Sequence, residues 1–73
     1  MKIEEGHIIT LEDNKDYMVL KKITYNNINY VYLMTATKPV EVSFMKEELI
    51  NNELSLIPID DSELVNIIPL FEN

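Results

Sequence analysis

The chain contains no cysteine, no arginine and no tryptophan, and only one histidine and one glycine in 73 residues. Without cysteine there is no disulfide and no thiol chemistry, and a single histidine cannot build the His/Cys sets that hold zinc. A lone glycine, Gly6, excludes the glycine-rich loops that cradle phosphates. The missing arginine removes the side chain most used to grip nucleic acid, and 6 lysines against 13 carboxylates leave a net charge of −7. Affinity for a phosphate backbone rests on cations that displace counterions, so direct nucleic-acid binding is not expected. Met1 is followed by Lys2, Ile3, Glu4 and Glu5, and no apolar run is long enough for a signal peptide or a membrane span. With no Asn-x-Ser/Thr acceptor either, the expected compartment is the cytoplasm, away from the membrane.

What remains is a small apolar chain, 47% hydrophobic by composition. A domain near this size buries only about 60% of the surface its unfolded chain exposes, so stability has to come from that apolar fraction or from a homodimer interface. The charge is uneven. Tyr17 to Val40 holds no acid, and Lys21, Lys22 and Lys38 make it +3; Glu41 to Asn73 holds 8 acids and Lys46, or −7. Such an acidic half either keeps an apolar protein soluble or faces a partner.

The pattern predicts one domain over residues 1–73, mainly β: a five-stranded antiparallel meander with a short C-terminal helix. Ile8 to Leu11, Tyr17 to Tyr25, Ile28 to Thr37, a strand from Val40 onward, and Glu53 to Ile59 are the predicted strands. Asn26-Asn27 and Asn51-Asn52 suit type I′ turns, because asparagine tolerates the positive φ needed at both central positions. A regular hairpin at Asn26-Asn27 sets Tyr25 against Ile28, Ile23 against Tyr30, Lys21 against Tyr32 and Val19 against Met34, with Leu20 beside Leu33 and Met18 beside Thr35. Both faces are then apolar, as expected for a small SH3-like or half-open barrel, a helix-covered sheet or a dimer. In the fourth strand, Phe44 and Leu49 fall on opposite parities. A bulge at Lys46 to Glu48 is expected from this, or else a helical turn over Met45 to Ile50. Leu64, Ile67, Ile68 and Phe71 form a helical stripe opened by Asp60, with Glu63 placed for a capping box and Pro69 expected to kink or stop the helix.

No catalytic constellation is present. His7 has no cysteine partner, Ser43 and Ser62 lack the flanking pattern of a triad, and paired carboxylates need a cleft that so short a chain hardly encloses. Asp13, Asn14 and Asp16 resemble a calcium loop only superficially, since Lys15 and Thr24 stand where ligands belong; Glu12, Asp13 and Asp16 are at most a weak divalent site. No metal and no cofactor are expected.

The order Ile9-Thr10-Leu11-Glu12-Asp13, Tyr17 to Leu20 followed by Ile23 to Asn27, Tyr30 to Leu33, and Ile57 to Asp61 leading into Glu63-Leu64 resembles the small acidic YrzB-like proteins of Firmicutes over most of the chain. The resemblance implies a compact β-rich domain and carries no functional residues with it. The chain departs from that pattern in using Asn26-Asn27 where a glycine commonly sits and in lacking a glutamate-dense tail. Abundant Asn, Ile and Lys without Arg also suggests an AT-rich bacterial or phage-like genome.

Two functional expectations follow. In the first, a non-catalytic module docks on a basic protein through Glu47, Glu48, Glu53, Asp60, Asp61 and Glu63, or inhibits a nucleic-acid-binding protein by mimicking phosphate charge. In the second, Lys21, Lys22, Tyr25, Tyr30 and Tyr32 form a ligand or single-strand platform. The residues that share a face with these tyrosines are those of a core, which counts against the platform. A purely structural homo-oligomer is the remaining alternative.

Overall fold

The computed structural model describes residues 3–72; Met1, Lys2 and Asn73 lie outside it. Five strands, β1 (Ile8–Thr10), β2 (Asp16–Tyr25), β3 (Ile28–Thr35), β4 (Val42–Ile50) and β5 (Glu53–Pro58), precede one helix, α1 (Asp61–Phe71). Each strand pairs antiparallel with its sequence neighbour, and β1 and β5 are left as the two edges of a half-barrel.

Asparagine makes the tight turns. Asn26 and Asn27 have φ of 53° and 65°, and Asn51 and Asn52 have 52° and 67°. Two positive φ values in succession give the turn whose twist matches that of the strands it joins. The β1–β2 connection closes with Leu11 N–H donating to the Lys15 carbonyl, around Asn14 at φ 64°. The β3–β4 connection contains a cis Lys38–Pro39 bond, and the buried Thr35 hydroxyl satisfies it by donating to the Pro39 carbonyl while accepting from Glu41 N–H.

One residue decides which side chains point inward. Tyr25, Ile23 and Lys21 face Ile28, Tyr30 and Tyr32 as a regular hairpin requires, but the register then shifts at Leu20, so that Val19 faces Leu33, Met18 faces Met34 and Tyr17 faces Thr35. Leu20 is the extra residue of a β-bulge, and the pairings expected for Val19, Leu20 and Met18 are displaced by one. A bulge reverses side-chain parity and bends its strand, which here curls the sheet around Tyr17, Val19, Val31 and Leu33. Val19, Val31 and Leu33 are completely buried, as is Ile3 from the N-terminal segment. Ile9 and Leu11 from one edge and Leu54 and Leu56 from the other pack on the same core. Each fully buried aliphatic side chain contributes roughly 1.5–3 kcal/mol of transfer free energy, which a 73-residue chain without covalent cross-links needs.

The bulge expected at Lys46 to Glu48 is not formed, and neither is a helical turn there; β4 runs straight through, in constant register with β3 and β5. Both parities of β4 are apolar because both faces are covered: Met45 packs on the interior core, and Phe44 meets α1 outside, its ring 5.2 Å from that of Phe71. The helix stripe packs as expected, with Ile67 buried. Two details of the helix differ from expectation. Asp60 is the N-cap residue but makes no side-chain cap, and Glu63 reaches Tyr30 and Lys46 rather than back to the cap. Pro69 lies in the last turn and the helix continues to Phe71.

Candidate functional site

Register and helix position gather Glu48, Asp60 and Glu63 around Lys46, with Asp61 in the first turn of α1, whereas Glu53 lies at the far end of β5, at the hairpin tip. Glu48 lies opposite Ser55, and Ile50 opposite Glu53, so alternation puts Lys46, Glu48, Ile50 and Glu53 on one outer face of the β4–β5 hairpin. Strand β5 leads through Ile59 into Asp60 and Asp61, where α1 begins beside that face. Lys46 is at the centre, its Nζ 2.9 Å from Glu63 Oε1. The hydrogen bond to Glu63 holds the Lys46 ammonium above the usual lysine range, with the fields of Glu63, Glu48 and Asp60 adding to it. Glu63 itself is held below the usual glutamate value by the hydrogen bonds it accepts from Tyr30 and then Lys46. Ile50 is exposed at the hairpin end, beside Glu53.

Glu47 faces the other way. It has the parity of Met45 and so turns into one mouth of the half-barrel, where its side chain is only 7% exposed. Its Oε2 accepts a 2.9 Å hydrogen bond from Asn29 Nδ2, and its Oε1 lies 3.2 Å from Lys22 Nζ. Lys22 Nζ also donates to the Ile3 carbonyl at 2.9 Å. These residues close the mouth around Ile3, and Glu47 is not available to a partner.

The tyrosine and lysine platform is not assembled. Tyr30 is buried beneath α1 and donates its hydroxyl to Glu63. Tyr32 stacks on Phe44 at 4.6 Å and lies 6.2 Å from Phe71. Lys21 Nζ donates to the Phe71 carbonyl at 3.2 Å, where the negative end of the helix dipole favours a cation. No lysine stands in the last turn of the helix itself. Lys22 is on the opposite face, and Tyr25 is exposed at the hairpin end. Three of the five residues thus anchor the helix and a fourth plugs the barrel.

The acids of the β1–β2 connection are directed to different partners. Asp13 accepts from Lys15 N–H at 3.0 Å and from the Tyr17 hydroxyl at 2.8 Å. The first of these bonds, then the second, holds its carboxyl below the usual aspartate value. Asp16 accepts from Thr10. Among the described residues, no group of three or more His, Cys, Asp or Glu could hold a metal ion. His7 is exposed, its Nε2 3.9 Å from Glu4 Oε2.

Two features were not visible as sites in the sequence. One is an apolar row on the outer face, Ile8, Met18, Met34 and Val42, aligned across four strands and exposed at both ends. Its signal was hidden by the bulge, which alone sets Met18 opposite Met34. The other is a cleft of about 450 Å³ between β1 and β5, the open seam of the half-barrel. No helix among the described residues is long and apolar enough to cross a membrane. No protein-family model, curated protein or solved structure matches this chain.

Proposed function

We propose that the protein is a non-catalytic, cytoplasmic interaction module that docks its acidic corner on a basic surface of a partner protein. The observation that carries this is the gathering of Glu48, Asp60 and Glu63 around Lys46, whose ammonium Glu63 already engages, with Asp61 beside them in the first turn of α1. A net charge of −7 would steer a basic partner and make association fast and salt-sensitive. In its specific form the corner imitates nucleic-acid charge and inhibits a DNA- or RNA-binding protein. The resemblance of the sequence to YrzB-like proteins belongs to the same proposal.

The test is capture from nuclease-treated lysate of the source cell, eluted stepwise with salt, beside a variant carrying Glu48→Lys and Asp61→Lys. A basic protein that elutes stoichiometrically from the parent, is lost from the variant, and is displaced by a polyanion supports the corner. Equal capture by both chains removes it.

The aligned row of Ile8, Met18, Met34 and Val42 favours a second reading, a homo-oligomer that buries this row between copies. Sedimentation equilibrium decides it: a monomer at all concentrations excludes the oligomer, and an oligomer dispersed by Val42→Asp supports it.

A further inference from the structure

The interior of the half-barrel is complete except along one line. Strands β1 and β5 are both edges, and the sheet order leaves them unpaired with each other. Between them lies the cleft of about 450 Å³. Ile9 and Leu11 form one wall, and Met45, Leu54, Leu56 and Pro58 the other. Exposed edge strands are normally covered or made repulsive, because their free N–H and C=O groups recruit other strands. Here β1 is only three residues long and Pro58 closes the end of β5, but neither edge carries a lysine, and the rim of the cleft holds Glu12, Asp13 and Glu53.

We propose that this seam receives an extended segment of a partner protein in which apolar residues alternate with lysine or arginine, adding a strand along β5. The period-2 alternation of a strand would send its apolar side chains down onto Leu54, Leu56 and Ile9, and its basic ones up to the carboxylate rim. A compact apolar ligand would fill the floor and leave the backbone groups of both edges unpaired. The six residues of β5 match a segment of about 20 Å, at roughly 3.3 Å per residue. This surface is separate from the acidic corner and depends on the reading above only in that the occupant is a protein.

The test titrates an eight-residue peptide alternating lysine and valine into the labelled protein and follows amide resonances and hydrogen exchange. The expected result is perturbation and slowed exchange at Leu54, Ser55 and Leu56, with affinity falling at higher salt. Glu12→Lys, an exposed change on the rim, weakens binding several-fold, whereas Asp61→Lys at the corner leaves it unchanged. N-methylation of alternate peptide amides abolishes it. The proposal is overturned by no perturbation of β5, by equal binding of the N-methylated peptide, or by effects confined to Glu48, Asp60 and Asp61. The last would remove the seam while supporting the corner. Binding at β5 alongside failure of the corner to capture a partner would do the reverse. Peptide-independent protection of β5 that grows with protein concentration would make a second copy the occupant and also overturn it.

Discussion

The Tyr30 hydroxyl on β3 donates a hydrogen bond to Oε2 of Glu63 on α1, 33 positions further along the chain. The other oxygen of the same carboxylate takes Lys46 from β4. One helical side chain therefore ties two strands to the helix, at the point where β5 hands over to α1.

That linkage predicts opposite behaviour at the two ends of the pH scale. Glu63 has a carboxyl lowered from 4.5, so the stability it contributes is present above that value and is lost as pH falls through its lowered value in the fold. For Tyr30, hydrogen bonding to Glu63, then burial, pushes the hydroxyl up from 10.0 to about 12. Its contribution is complete below pH 10 and is lost as pH rises toward 12. Urea unfolding midpoints from acid to strongly alkaline solution check both limbs. Glu63→Gln flattens the acid limb and Tyr30→Phe the alkaline one. An acid limb unchanged by Glu63→Gln would place that titration on other carboxylates.

The interior core is small enough that one truncation is decisive. Leu33 is completely buried, whereas Leu49 is 71% exposed. Leu33→Ala costs about 2–5 kcal/mol, against a total stability of about 4–11 kcal/mol for a chain this size. Leu49→Ala stays within about 0.5 kcal/mol. Chemical denaturation of the two variants measures the contrast, and similar costs would contradict the burial of Leu33 against the exposure of Leu49.

The turns depend on backbone conformation more than on contacts. Asn27 has φ 65°, which a β-branched residue adopts only under strain. Asn27→Val therefore destabilises by about 1–2 kcal/mol, while Asn27→Gly is neutral or mildly stabilising. Thermal melts of the two variants separate a conformational requirement from a role for the asparagine side chain.

Deleting Leu20 gives the sharpest test of the bulge. Val19 and Lys21 already face Leu33 and Tyr32, so deletion leaves a regular β2–β3 ladder with every other pairing intact. What it removes is local bending. The expected outcome is preserved β2–β3 contacts in nuclear Overhauser spectra, with weakened contacts from Ile9 and Leu54 to the interior core and a lower melting temperature. Unchanged interior contacts would show that curvature arises elsewhere.

Much of this architecture was legible because its signals are local. Paired asparagines announced two turns, alternation marked strands, and the spacing of Leu64, Ile67, Ile68 and Phe71 marked a helix that packs as expected. The parity conflict between Phe44 and Leu49 does not mark a bulge: Phe44 meets α1 on the outer face, while Leu49 has the interior parity of Met45 but lies exposed near the hairpin end. Glu47 shares the parity of Met45, which would have separated it from the other acids once the interior face was known. Nothing in the run from Tyr17 to Tyr25 marks Leu20 as the extra residue, since a bulge is chosen by how the sheet must bend around its core.

By itself, then, the sequence determined the order of elements, the turn positions and the acidic excess of the second half. These follow from composition and from interactions within a few residues. The tertiary structure alone decided which carboxylates meet at the outer corner, that Tyr30 and Lys21 anchor the helix, that Lys22 and Glu47 close a mouth of the half-barrel, and that a seam stays open between β1 and β5. Each of these depends on strand register, and moving the register by a single residue at Leu20 sends side chains to the opposite face.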